Sequence, residues 1–397
     1  MRRIGLTEYQ RSEPVVLCET ELLGLQRLAP RVRIEPAPIG RGHYELTPDC
    51  HVGVLRVADT VVEIRPKLPI DRFYFILSYA VDPSLWQPEA VSFDTEDTVL
   101  EAVAPAFCRL VSQATYRGLL HGYRPQEEAL PLVRGQIRFR DQVQRRHGLA
   151  LPVEVRFDDF TEDVDENRVL LAALHRLSML PLRSPQVRRG LHEVAGAFHA
   201  VSLMRYGPAD VPTIAFTRLN QHYEPAIGLA RLILRWASLE LGSGETTGTS
   251  FLVDMNEVFE IFVHRALREA LGLSEAEFPR GAKGLRLDEA RRIGLEPDLS
   301  WWRAGRCCFV GDVKYKKVNV AGVKHPDLYQ LLAYVTGADL SAGLLVYAAG
   351  EGDPARHCIR YAGKTLIVES LDLAGGPELI LKQVGHLAAR IRELATA

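Results

Sequence analysis

A chain of 397 residues, 47% hydrophobic and 25% charged, is long enough for two or three cores and too apolar for a disordered polymer. Its formal net charge of −2 excludes nucleic-acid binding by bulk electrostatics, so any such contact must be local or supplied partly by a partner. Cys18, Cys50, Cys108, Cys307, Cys308 and Cys358 show no metal-ligand spacing, and only the pair 307–308 is close, which points to reduced thiols. No apolar run of about 18 residues occurs, and Met1-Arg-Arg-Ile4 is not followed by an apolar h-region; the expectation is a soluble, cytoplasmic protein with no membrane partner.

Residues 1–91 read as a β-rich N-terminal domain. Val52–Val57 and Val61–Lys67 flank a turn at Ala58-Asp59-Thr60, and Asp71–Ala80 reads as a short closing helix. Asp49 and Glu63, with Arg65 two positions on, copy the spacing of a metal-binding hairpin further down the chain but put arginine where that hairpin has lysine. Arginine stays charged and cannot move a proton, so this pair reads as structural, in a domain with a scaffolding or docking role.

Residues 92–242 read as a helical middle region, with amphipathic stretches at Asp97–Leu120, Asn167–Leu180, Gln186–Ser202 and Pro225–Leu241. The basic run Gly135–His147 could touch phosphate, but a solvated charged face is the plainer reading. The acidic run at 158–166 lacks the ligand spacing and glycine of a calcium loop, and Asp165-Glu-Asn-Arg168 suits a helix start. Gly242–Ser250 is the best linker in the chain.

Residues 251–397 read as an α/β domain, which makes the whole chain an α+β multidomain protein. Phe251–Gly272 is expected as a helix with Leu252, Met255, Phe259, Phe262 and Ala266 on its apolar stripe; at about 100° per residue Glu260 borders that stripe and Glu257 opposes it. A strand-like segment near Gly284–Asp288 precedes a hairpin, Leu295–Trp302 and Cys307–Tyr315, joined by Ala304-Gly305-Arg306. A helix from Pro326 to Gly337 buries Leu328, Leu331, Leu332 and Val335 and carries Asp327, Gln330 and Tyr334 on another face, where surface decoration is the plain reading. Strands at Gly343–Tyr347 and Leu366–Glu369 and a helix Glu378–Leu394 complete the domain.

The hairpin carries the chemistry. With Gly305 as midpoint, Asp298 lies opposite Asp312, and Lys314 emerges on the same face as Asp312. A bare Asp-x-Lys is common by chance, but facing carboxylates repel unless a cation sits between them. Asp298 and Asp312, next to the backbone carbonyl of Val313, suit a hard cation such as Mg2+, and Lys314 could position a water or stabilise a phosphoryl transition state. The nearest approach to a phosphate-binding loop, Gly363-Lys-Thr365, has Cys358 where the first glycine belongs, so the chain is not expected to hydrolyse nucleotide alone.

Residues 251–347 resemble the PD-(D/E)xK nuclease superfamily in Glu260, Pro297-Asp298, Asp312-Val-Lys314 and Gln330-Leu-Leu-Ala-Tyr334, the last matching the Q-x-x-x-Y motif of its RecB-like branch. More narrowly, Asp254-Met-Asn-Glu-Val-Phe-Glu260, Asp312-Val-Lys-Tyr-Lys316 and Val62-Glu-Ile-Arg-Pro-Lys67 resemble the McrC family, nuclease subunits of McrBC modification-dependent (5-methylcytosine) restriction systems. The resemblance implies Mg2+-dependent cleavage of double-stranded DNA, with Asp298 and Asp312 as metal ligands, Glu260 as a third acid, Lys314 as catalytic lysine and Gln330 and Tyr334 beside them. It also implies a McrB-like AAA+ GTPase hexamer as partner, with GTP bound by that partner. A free-standing RecB-like repair nuclease and a non-catalytic activator of an AAA+ ring are the alternatives.

Overall fold

The hairpin expected near the N-terminus forms at β5 (His51–Val57) and β6 (Thr60–Arg65), where Val57 pairs with Thr60 and Ala58 turns the chain with a φ of 50°. The computed structural model describes residues 2–28, 31–81, 83, 98–147, 149–207, 210–240, 248–315, 325–348 and 355–396. Ahead of the hairpin come β1 (Arg2–Thr7), β2 (Val15–Val16), α1 (Glu19–Leu28), β3 (Val32–Pro36) and β4 (His43–Pro48), and behind it α2 (Ile70–Val81) and α3 (Val99–Ala114). β1 lies parallel to β6, while β2, β4 and β3 make a separate small sheet. Both hairpin strands are buried along almost their whole length, as near-continuous Val and Ile runs demand.

Residues Met1–Ala102 and Glu240–Ala397 cluster as one unit, and Val103–Leu239 as another. The smaller unit holds most of α3, then β7 (Gly122–Leu130), β8 (Gln136–Ile137), α4 (Phe139–Arg146), β9 (Val153–Thr161), α5 (Asp165–Ser178), α6 (Pro185–Gly196) and α7 (Glu224–Trp236). The reading of this region as helical is corrected by a three-stranded antiparallel sheet ordered β7-β9-β8. β7 is polar on both faces, carries Pro125 and is largely exposed, so it shows no apolar period for a sequence reading to find. The acidic run does open a helix at Asp165, and Asp163 is tied to Arg168, Arg124 and Ser202. The Arg168 guanidinium holds the Asp163 carboxyl well below the usual carboxylate range.

The chain continues through β10 (Ala237–Glu240); of the expected linker, residues 242–247 lie outside the described residues. Next come β11 (Gly248–Asp254), α8 (Met255–Leu271), β12 (Leu285–Arg286), β13 (Gly294–Leu295), β14 (Leu299–Arg303), β15 (Arg306–Lys314), α9 (His325–Gly337), β16 (Ala342–Ala348), β17 (Ala355–Ile359), β18 (Lys364–Leu371) and α10 (Pro377–Thr396). The helix expected from Phe251 starts at Met255 instead. Phe251–Asp254 is strand, because Thr-Ser-Phe-Leu-Val can pair with β5 and Asp254 then caps the helix by accepting the Asn256 amide. That antiparallel pairing joins the start and the end of the chain in one core.

The β5–β11 contact is close enough to require Gly53. Its φ is 141°, and a Cβ there would lie 2.0 Å from the Phe251 carbonyl oxygen. Gly53→Ala should therefore lower the unfolding free energy by about 2–3 kcal/mol. Urea melts of wild type and variant measure it; an unchanged midpoint would show that the strands can part without cost.

The second large sheet is ordered β14-β15-β16-β18-β17, with β15, β16 and β18 parallel and the two outer strands antiparallel. Val310, Leu345, Tyr347, Leu366 and Val368 pack with Leu331, Tyr334 and Val335 of α9 into one apolar cluster. Strand alternation puts Asp312 and Lys314 on the same face as Val310, the face that α9 covers. Among the described residues no helix is long and apolar enough to cross a membrane.

Candidate active site

The pairing of β14 with β15 sets the site. Leu299 faces Gly311, Ser300 faces Val310 and Trp301 faces Phe309; beyond a bulge between Trp301 and Trp302, Trp302 faces Cys307 and Arg303 faces Arg306. The loop is thus the two residues Ala304 and Gly305, with φ of 47° and 78°, rather than the expected three. A shorter loop alone would have shifted the register by one. The bulge restores it, so the register at Leu299–Gly311 carries Asp298 opposite Asp312 as the sequence implied. Asp298 sits just before β14, and its Oδ2 accepts the Val313 amide at 2.9 Å.

Asp312 is fully buried, and neither of its oxygens accepts a hydrogen bond of regular geometry among the described residues. Lys314 Nζ lies 2.5 Å from Asp312 Oδ2 as an ion pair. Burial alone pulls the Lys314 ammonium down, but Asp312, Asp298 and Asp327 outweigh it, so the lysine stays cationic. Burial, and then the charge of Asp312, push the Asp298 carboxyl up to about 7. Glu260 of α8 is raised as well, by burial and by the field of Asp298, although Arg280 Nε binds its Oε1 at 3.0 Å. With Arg280 taken up by Glu260, Lys314 stands against both Asp298 and Asp312, and a buried carboxylate left without a counter-charge costs several kcal/mol. Hard oxygen donors in such excess fit a divalent cation such as Mg2+, with Asp298 and Asp312 as the candidate ligands and Glu260 close enough to sense Asp298.

Of the helix α9 residues, Gln330 is exposed and its Nε2 donates to the Tyr334 hydroxyl at 2.8 Å; that hydroxyl donates to the Glu296 carbonyl at 3.1 Å. Tyr334 is buried, so it anchors the turn two residues before Asp298 rather than decorating a surface. Asp327 is buried too, accepts the Tyr347 hydroxyl at 2.7 Å and adds its field to Lys314. The sequence reading placed Asp327 on the right helix face but left it out of the acids of the site; its spacing to Gln330 and Tyr334 was the available signal. Lys316 lies outside the described residues.

A latch holds the other side of the strand end. The Tyr315 hydroxyl donates to Glu8 Oε1 at 2.8 Å, the Lys67 amide donates to the same oxygen at 2.7 Å, and the Lys67 ammonium sits 3.9 Å from the Tyr315 ring centroid. Two N-terminal segments therefore grip the residue that follows Lys314. The look-alike acids of that N-terminal region do not face each other: Glu63 lies opposite Val54 and pairs with Arg3, while Asp49 pairs with His51.

The raised Asp298 pKa has a stability consequence. The unfolded carboxyl titrates near 3.9. Between that pH and about 7 the folded chain keeps a proton that the unfolded chain releases, so this contribution is complete below about pH 4 and lost as pH rises through about 7. In thermal melts of metal-free protein, the decline from pH 5 to pH 8 should be shallower in Asp298→Asn than in wild type. An identical slope in both would contradict the assignment.

Fold and site define a mixed α/β protein that gathers carboxylates and one lysine at the C-terminal end of a parallel strand, the usual place for a site in such sheets. The chain belongs to the McrBC 5-methylcytosine restriction system component family, which it matches over residues 46–348. It is similar in fold to a chain of the refined half-complex from the tetradecameric assembly of Thermococcus gammatolerans McrB AAA+ hexamers with bound McrC, at 17% identity and a TM-score of 0.56, over 98% of this chain and 100% of that one. The cryo-EM structure of the Thermococcus gammatolerans McrBC complex matches at 19% identity and a TM-score of 0.43, over 68% of this chain and 88% of that one. No curated protein matches the chain.

Proposed function

We infer that this chain is the DNA-cleaving subunit of a McrBC-type restriction system: a Mg2+-dependent endonuclease of the PD-(D/E)xK kind that also stimulates the GTPase of a McrB-like AAA+ hexamer. The observation that carries the reading is Asp312, a fully buried carboxylate set beside Asp298 whose counter-charge among the described residues is the ion pair with Lys314. Asp298, Asp312 and the Val313 carbonyl would hold the ion, with Glu260 completing the set. When bound, Mg2+ supplies a Lewis acid and lowers the pKa of water. Lys314, cationic and aimed along the same face, stabilises negative charge that develops on a phosphodiester or orients the attacking water. Tyr334, fixed by Gln330, holds the Glu296 carbonyl and through it the position of Asp298. The chain offers no phosphate-binding loop, so GTP belongs to the partner.

The test is to purify the chain with an AAA+ GTPase of the same restriction locus and to measure GTP turnover and plasmid cleavage with Mg2+. Turnover should rise when the chain is added, and cleavage should need both proteins and GTP. Equal cleavage by the chain alone would identify a free-standing nuclease. Raised turnover without cleavage of methylated DNA would leave only an activator.

A further inference from the structure

Outside the acid pair, the turn between β4 and β5 brings together a thiol, an imidazole and two carboxylates. Asp49, Cys50 and His51 present ligand atoms that all lie within 4.8 Å of one another. His51 Nδ1 is 2.7 Å from Asp49 Oδ1 and 3.6 Å from Cys50 Sγ, and Cys50 Sγ is 3.6 Å from Asp254 Oδ1. Asp254 enters because β11 pairs it directly with His51. A tetrahedral ion with bonds of about 2.0 Å to nitrogen and oxygen and about 2.3 Å to sulfur sets neighbouring donors roughly 3.3–3.5 Å apart. The Cys50–His51 edge already meets that figure to about a tenth of an ångström, and the Asp49–His51 edge has only to open.

A second observation points to an absent ligand. His51 is 6% exposed, and among the described residues its Nε2 has no hydrogen-bond partner although it points at Asp254 Oδ2, 3.6 Å away. In the neutral ring, a proton on Nδ1 facing Asp49 leaves the Nε2 lone pair against a carboxylate. With a cation on Nδ1 the tautomer reverses, and Nε2–H donates toward Asp254, the carboxylate–histidine arrangement that fixes metal-bound imidazoles. The Asn256 side-chain Nδ2, 2.8 Å from Cys50 Sγ, is placed to donate to a thiolate. The soft donors are buried while the Asp49 and Asp254 side chains are 45% and 36% exposed, which leaves an entry path through the carboxylates.

We propose that Asp49, Cys50 and His51 form a structural site for a thiophilic divalent cation of the Zn2+ class, with Asp254 as the carboxylate that orients the His51 ring, clipping the start of β5 to the β11–α8 junction. The clip joins residues 204 apart in sequence and lies at the N-terminus of the helix that carries Glu260. Sulfur and nitrogen donors separate it from the all-oxygen acid pair, so the two sites select different metals.

The test uses the full chain carrying Asp312→Asn, which removes the acid pair as a competing site. After dialysis it should retain close to one equivalent of Zn2+, and Co2+ should give the near-ultraviolet band of a thiolate bound to cobalt. Cys50→Ser in that background should abolish the band and weaken Zn2+ binding by at least about 10-fold, and Asp49→Asn should also weaken it. Because Asp49 is half-exposed, its variant keeps the fold, which near-ultraviolet circular dichroism verifies for both. Absence of retained zinc and of the cobalt band, or equal retention in folded Cys50→Ser, would overturn the proposal.

Discussion

Asp312→Ala should reduce DNA cleavage by the reconstituted complex about 1000-fold or more while the chain remains folded and still raises GTP turnover by its partner. The magnitude follows from the several kcal/mol of charge stabilisation that a bound divalent ion supplies, at about 1.4 kcal/mol per factor of ten. The folding half of the expectation follows from the site itself. Asp312 is a buried carboxylate facing Asp298; removing it relieves a repulsion that raises the Asp298 carboxyl, and Lys314 keeps the charges of Asp298 and Asp327 near it, so the metal-free melting temperature should hold or rise above pH 7. Cleavage assays and thermal melts on one preparation check both halves. Full activity would remove Asp312 from the chemistry, and a collapsed fold would make it a structural residue.

Lys314→Ala should separate chemistry from metal binding. Loss of a cation aimed at the reacting phosphate costs about 100- to 1000-fold in rate, as loss of one oxyanion-stabilising donor does elsewhere. Without its ion-pair partner, Asp312 becomes a buried charge with nothing opposite it, and the metal-free variant should lose about 3 kcal/mol of stability. Mg2+ should restore part of that loss, because the same cation would then be the only counter-charge available. Calorimetric melts with and without Mg2+ measure the recovery; a variant equally stable in both would show that no ion reaches Asp312. Glu63→Ala is the control: it breaks the pair with Arg3 and should leave the rate of the folded protein untouched.

The acid pair was legible because strand pairing obeys arithmetic: positions 298 and 312 face each other whenever the register sum holds. It holds near Leu299 only because the bulge at Trp301–Trp302 compensates for a loop shorter than expected, a cancellation invisible in the sequence. The elements α9, α10, β16 and β18 were readable from their apolar faces. What stayed hidden depends on partners far away in sequence. Phe251–Asp254 carries a helix-compatible stripe, yet its pairing with β5 decides for strand. Glu8 and Lys67 hold Tyr315 across 307 residues in the first case, and nothing local marks them. β7 escaped because a two-sided polar strand has no apolar period, although its partner β9 does alternate Val153, Val155 and Phe157 with polar residues. The Asp49-Cys50-His51 cluster escaped because three adjacent ligands make no spacing pattern.

The central claim is that Asp298 and Asp312 together hold a hard divalent cation that Lys314 then exploits. Titration of the full chain with Mn2+ as a magnetic surrogate, reading free ion by electron paramagnetic resonance, tests it most directly in wild type, Asp312→Asn and Lys314→Ala. The account predicts that Asp312→Asn binds one equivalent fewer than wild type, and that Lys314→Ala keeps the site with equal or higher affinity. Undiminished binding by Asp312→Asn, or loss of the site in Lys314→Ala, would contradict it.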